Sequence, residues 1–446
     1  MQIRIEVSEE RTTPTGLAEV RLDCPEIGVQ SVLDMKLSSV REFALGDQSA
    51  AIDTLFVASI VYSIDKLVPR WLAADRWTRS LSVVFPVYNP ELWAGVQSQL
   101  EACLAFLTGD RWTCGFTQLR SSLYRPVQHR EGQIPPYIEH PDAVSLFSGG
   151  LDSLVGIIDW LESHRDGTLW LVSHHDGKVP GPNADQLRLL PLIRHQYQGR
   201  VGFFGVRVGP RTAGTEITFR SRSFLFIAAG VYVAYHSGNR LALLIPENGT
   251  IALNHPLSPS RRGSCSTRTA HPLYLSMLGD MLNGLGIQIP IVNPLELKTK
   301  GEVVAQCLNQ ELLGRIAAQS ASCAKHGRKQ FWDDRYARAC GFCMPCIYRR
   351  AALHTIGLDT ERYGIDICIR GVERFRKGFQ KDFRAFAGFL QRINDDQQIA
   401  EELVANGSLD LERLPEYVGL IDRARDELRA WLRDKGSDDV KRLAGL

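Results

Sequence analysis

The chain has 446 residues, a formal net charge of +2, and 44% hydrophobic and 23% charged residues. That length is about twice what one catalytic domain needs, so two or three structural units are expected. So small a charge, with no sustained basic stripe, argues against direct nucleic-acid binding; the longest apolar run, Phe224 to Tyr235, is too short for a membrane span.

In chain order, residues 1–122 read as an independent α+β accessory domain. Strand-like pieces occur at Ile3 to Val7, Ala18 to Leu22, Leu81 to Tyr88 and Trp112 to Leu119, and helical patterns at Ser49 to Asp65 and Glu91 to Phe106. The alternating start, Met1 to Val7, reads as a strand and not as a signal peptide. Trp71, Trp77, Trp93 and Trp112 are expected as core or interface anchors. Residues 123–140, with Pro126, Pro135 and Pro136, read as a linker.

Residues 141–360 alternate strand and helix, as in a doubly wound parallel sheet of α/β class. The apolar run Ala143 to Phe147 predicts a buried strand, and Leu154 to Glu162 carries apolar residues at helical spacing. Between them lies Ser148-Gly149-Gly150-Leu151-Asp152-Ser153. Its glycines admit phosphate oxygens closely, its hydroxyls can bond them, and the helix start favours an anion. Asp152 could orient magnesium or a phosphate-bound water; an ordinary strand–turn–helix junction is the plain alternative. A second strand, Leu169 to Ser173, ends in His174-His175-Asp176, which is expected near the nucleotide. A helix at Ala184 to Tyr197, a strand at Val201 to Val208, and a Gly-rich candidate lid at Gly209 to Thr215 follow.

Arg220, Arg222 and Lys300 are cations able to hold phosphates or a carboxylate, or else to form surface ion pairs. In the polar stretch Ile245 to Cys265, Glu247 or Asn254 could read a purine edge. Glu302 suits either magnesium or a helix cap. Cys323, Cys340, Cys343 and Cys346 supply four thiolates for structural zinc. An iron–sulfur cluster, a set of plain buried thiols, and His326 in place of Cys323 are the alternatives. The chain has 10 cysteines, and the remaining six show no pairing pattern, which suits a reducing cytoplasm. Beyond residue 360 a helical extension is expected, with a Phe stripe and basic side chains over Ile369 to Ile393 and a last surface helix at Glu416 to Lys435.

The Ser148 to Ser153 segment matches the S-G-G-x-D-S signature of the PP-loop ATP pyrophosphatases. With the cysteine knuckle, Arg220 to Leu225, Pro294-Leu295, Lys300 to Glu302 and Arg349, the chain resembles the QueC family of 7-cyano-7-deazaguanine synthases over roughly residues 140–360. Its added ends make it similar to the QueC-like members of the Qat anti-phage defence systems. The resemblance implies a PP-loop fold with a zinc knuckle, ATP cleaved to AMP and pyrophosphate with magnesium, and adenylation of a 7-deazaguanine carboxylate. It implies nucleotide contacts from Ser148 to Ser153 with Arg220 and Arg222, and catalytic roles for Ser148, Asp152, Ser153 and Lys300. The family's G-Y-P-D-C-R-like segment is replaced here, which leaves the acceptor open: ammonia giving a nitrile, or an amine of a partner protein from the same defence operon. A non-catalytic nucleotide-binding subunit is the third reading.

Overall fold

The computed structural model describes residues 2–11, 18–36, 48–123, 141–177, 182–216, 218–238, 241–258, 268–369, 380–392 and 395–446. Its strands are β1 (Gln2–Arg11), β2 (Ala18–Cys24), β3 (Val29–Lys36), β4 (Ser80–Val87), β5 (Arg111–Gln118), β6 (Ala143–Leu146), β7 (Leu169–His175), β8 (Val201–Pro210), β9 (Leu243–Leu244) and β10 (Ile291–Val292). They join one sheet in the order β10-β9-β6-β7-β8-β3-β2-β1-β4-β5. Strands β6 to β10 pair in parallel, and so do β1, β4 and β5. The antiparallel set β1-β2-β3 joins these blocks, with β3 running antiparallel to β8. The protein is therefore α/β with a large, mostly parallel sheet.

The sequence explains the difference between blocks. Every residue of β6 is buried, as a parallel strand covered on both faces demands. In β1, Ile3 and Ile5 are buried while Arg4 and Glu6 are exposed, the alternation of a half-covered strand.

One hydrophobic cluster runs from Ile3 to Ile289 and takes in both blocks. Its centre is the helix Ala50–Leu67, buried along almost its whole length and packed on the helix Arg222–Ser237. A helix apolar on all sides must be covered on all sides. The region expected as an independent domain thus shares both sheet and core with the residues that follow it. The predicted helix at Glu91 to Phe106 is two helices, Pro90–Gly95 and Gln97–Thr108, which meet at Val96.

A separate cluster packs the cysteine knuckle against the chain's last helices, Gln380–Gln391, Asp396–Asn406, Leu414–Lys435 and Asp438–Ala444. Phe383, Phe386 and Phe389 of the predicted stripe are buried there. Arg374, Phe375, Arg376, Lys377 and Phe379 lie outside the described residues, as does 124–140 of the predicted linker. The helix Leu414–Lys435 is not a surface helix: Tyr417, Leu428 and Trp431 enter the core, and a further helix follows it. Among the described residues, no helix is long and apolar enough to cross a membrane.

Candidate functional site

In the parallel block β8-β7-β6-β9-β10, the chain builds outward from β6 in one direction and then returns to build from β6 in the other. Between β6 and β9 the order reverses, and a crevice at the carboxyl ends of the strands is where open α/β sheets take ligands. Ser148 to Ser153 leaves β6 at that point. Gly149 has φ +81°, and a Cβ there would stand 3.3 Å from both Asp185 Cβ and Gln186 N, so the turn needs glycine. Gly150 is the N-cap of the helix Leu151–Ser163 and offers no side-chain acceptor. The positive end of the helix is thereby left for an anion. Ser148 Oγ lies 3.1 Å from Ser153 Oγ and accepts from Gly150 N at 3.2 Å, while Ser153 donates to Gly150 O at 3.0 Å. Ala321 N donates to Gly149 O at 3.0 Å and holds the loop from outside. The Leu151 side chain is wholly buried and can serve a ligand only through its backbone.

Asp152 faces the segment after β9. Its Oδ2 accepts from Lys300 Nζ at 2.6 Å and Asn248 Nδ2 at 2.9 Å. Its Oδ1 is buried and has no hydrogen-bond partner among the described residues, an orphan acceptor suited to a cation or a bound water. Lys300, 3% exposed, opens the helix Lys300–Ala305. Thr299 and Glu302 form a reciprocal capping box there, and Glu302 also pairs with Arg423 at 2.6 Å. Glu302 is thus a cap. Asn248 caps the short helix Gly249–Ala252 through Ile251 N. A Cβ on Gly249 would sit 1.8 Å from Glu296 O, so only glycine allows this approach of the two segments.

Ser148, Ser153, Arg222 and Glu247 line a cavity of about 250 Å³, with Phe219, Phe226 and Pro246 among its apolar walls. Burial and the neighbouring Asp152 charge push the Glu247 carboxyl up to about 8, against an opposing pull from Lys300. Arg222 donates from Nε to His174 Nδ1 at 3.3 Å and from Nη2 to His174 O at 3.0 Å. His174 is wholly buried with Nε2 3.0 Å from Val208 O. Burial first, and Arg222 second, depress it to about 3, so its ring is neutral and orients the guanidinium. Asp176 turns away, to Tyr62 at 3.1 Å and to Lys66.

The N-terminal region fixes this arrangement. Asp65 Oδ2 accepts from Ser221 Oγ at 2.8 Å and Thr218 Oγ1 at 3.1 Å, just ahead of Arg222. Its Oδ1 accepts from Arg79 at 2.6 Å, and Arg79 and Arg70 share Asp110. Burial, the largest single influence, would raise the Asp65 carboxyl, but the Arg79 charge and hydrogen bond, the Arg70 charge and the Ser221 hydroxyl together hold it low. The segment Gly209 to Thr215, expected as a lid, is tied down: Arg211 N bonds Val32 O at 2.8 Å and Thr215 bonds Leu67 O at 3.0 Å.

Arg220 is not brought to the loop. It lies 4.2 Å over Trp77 and donates to Thr108 O at 3.1 Å, lining a second cavity of about 580 Å³. This cavity also touches Arg70, Asn254, Tyr348 and Asp382, and the two cavities share one wall, Phe219. Arg349 is buried on Glu361, Ser320 and Ala317.

The sulfur atoms of Cys323, Cys340, Cys343 and Cys346 all lie within 4.8 Å of one another. A tetrahedral zinc with bonds of about 2.3 Å spaces its sulfurs about 3.8 Å apart, so the set fits such an ion. Lys325 N and Cys340 N point at Cys323 Sγ from 3.4 and 3.3 Å, and Cys343 N at Cys340 Sγ from 3.3 Å. Gly341, at φ +82°, is required because a Cβ would meet Ile365 O at 2.3 Å. The His326 side chain lies outside the described residues.

Sequence reading missed Asn248, Asp65, Tyr62 and Lys66. Asn248 carried a signal, since Asn before Gly at a polar turn is an N-cap pattern; the others, on an apolar helix, carried none. Comparison of the chain with protein-family models, curated proteins and solved structures yields no match.

Proposed function

We propose that the chain is an AMP-forming, ATP-dependent enzyme of the QueC type. It adenylates the carboxylate of a 7-deazaguanine and transfers the acyl group to an amine, in the cytoplasm, as part of an anti-phage defence system. The observation that carries this reading is the Ser148 to Ser153 loop at the reversal of strand order, with Asp152 locked to Lys300. In this reading the N–H groups of residues 150–153 and the Ser148 and Ser153 hydroxyls take the phosphates of ATP. Arg222, fixed by neutral His174, faces the developing negative charge. Lys300 neutralises Asp152 and adds positive potential beside it. Asp152 Oδ1 and the loop hydroxyls would hold a magnesium ion, which supplies charge neutralisation to the phosphates. The four cysteines would hold zinc with no open position, a structural role.

The larger cavity across Phe219 favours a bulky acceptor over ammonia, namely the amine of a partner protein from the same operon. The test is the intact mass of the co-expressed partner, with wild type and with Asp152→Ala. A deazaguanine-sized increment that vanishes in the variant supports conjugation. An unmodified partner together with free nitrile from 7-carboxy-7-deazaguanine, ammonia and ATP would return the reaction to base synthesis.

A further inference from the structure

We propose that Glu247 is the general base of the bond-forming step, taking the proton from the amine that attacks the activated carboxylate. The inference rests on the acyl-adenylate reading above and assigns the group that completes it. Glu247 lines the same cavity as Ser148, Ser153 and Arg222, and is the only carboxylate among the described lining residues. Its backbone is held on both sides: Glu247 N donates to Asn293 Oδ1 at 3.3 Å, and Asn293 Nδ2 donates to Glu247 O at 2.8 Å. Before it, Pro246 abuts Gly156, where any Cβ would come within 2.4 Å of the ring. The backbone that carries the carboxyl is thereby fixed beside the cavity.

Its oxygen Oε2 is buried and has no hydrogen-bond partner among the described residues. A buried carboxylate oxygen left without a donor makes the carboxyl a ready proton acceptor. The groups facing it are Asp152, which favours the protonated form; Lys300, which opposes; and the Ala270 N–H. The other candidates are committed. Asp152 Oδ2 serves Lys300 and Asn248, and both His174 ring nitrogens are occupied.

In this step the amine nitrogen forms a bond to the acyl carbon. The bond from that carbon to the phosphate oxygen breaks, and AMP departs with the electron pair. The surplus proton on nitrogen passes to the Glu247 carboxylate and then to solvent.

The experiment separates the two halves of the reaction in the full-length chain. Pyrophosphate exchange into ATP, dependent on 7-carboxy-7-deazaguanine, reads activation. Amide formation with ammonia and with glycinamide, at constant free amine from about pH 6 to about pH 9.5, reads transfer. Glu247→Gln should still catalyse exchange, which also shows that it is folded, while amide formation falls about 100-fold or more. The wild-type transfer rate should rise with pH as the carboxyl loses its proton, and the variant's should not; Glu247→Asp should restore part of the rate with a shifted profile. Transfer by Glu247→Gln at the wild-type rate and profile would overturn the inference. So would wild-type exchange with no amide from either amine. Absence of exchange in the wild type would overturn the activation reading itself.

Discussion

At the crevice between β6 and β9, Asp152 and Lys300 meet across 148 positions of chain; in the knuckle, Cys323 and Cys340 meet across 17. The crevice gathers opposite charges and leaves Asp152 Oδ1 and Glu247 Oε2 unsatisfied. The knuckle gathers four equivalent sulfurs at mutual distances that one ion would satisfy. A closed donor set holds structure, whereas buried acceptors left without a donor favour a cation, a proton or a bound water. Each part is therefore vulnerable at a different point: the knuckle to loss of an ion, the crevice to loss of a countercharge.

The largest effect is expected at the knuckle. Stripping metal with a chelator, or Cys343→Ser, should remove one bound ion per chain. Loss of that ion should loosen the cluster around Trp332 and Trp431, costing several kcal/mol in denaturant unfolding and shifting tryptophan fluorescence. A metal-free chain as stable as the native one would show the sulfurs to be plain thiols.

Next is the countercharge. Lys300→Met leaves Asp152 unpaired in a site where the lysine is 3% exposed. Breaking such a pair costs about 3–5 kcal/mol, and AMP formation should fall about 100- to 1,000-fold. Urea unfolding and product analysis check the two separately.

A smaller effect follows pH. The His174 ring titrates at about 3 in the fold against 6.5 when exposed, so the folded state binds its proton less well than the unfolded chain. Its contribution is complete above pH 6.5 and is lost as pH falls toward 3. Between about pH 7.5 and pH 5 the wild type should lose about 2 kcal/mol through this ring, and His174→Asn should lack that loss. An equal loss of stability in wild type and His174→Asn between the two pH values, read by urea unfolding, would show that His174 contributes nothing to the pH dependence. Smallest is the cap: Thr299→Ala should cost about 1 kcal/mol, and a larger loss in AMP formation than in stability would show that the capping box aims Lys300.

The knuckle and the Ser148 to Ser153 loop were legible because their chemistry is written in short spacing. Apolar runs placed β6 and β7 for the same reason. The union of the two sheet blocks was not legible. It depends on β3, whose Gln30-Ser31-Val32-Leu33-Asp34 has too little apolar contrast to announce a strand, and on its pairing with β8. Arg220 and Arg222 look alike in sequence, yet one stacks on Trp77 and the other on the site, because the helix starting at Arg222 turns its first residue toward His174. Glu302 read equally as ligand or cap until Thr299 and Arg423 were seen to hold it. Such choices are made by partners distant in sequence, which local pattern does not encode.

Adenylation by the Ser148 to Ser153 loop is tested by the product of ATP turnover by the full-length chain with 7-carboxy-7-deazaguanine, beside Asp152→Ala. AMP and pyrophosphate from the wild type, reduced about 100-fold or more in the variant, is the predicted result. ADP and phosphate, or equal turnover by both proteins, would contradict it.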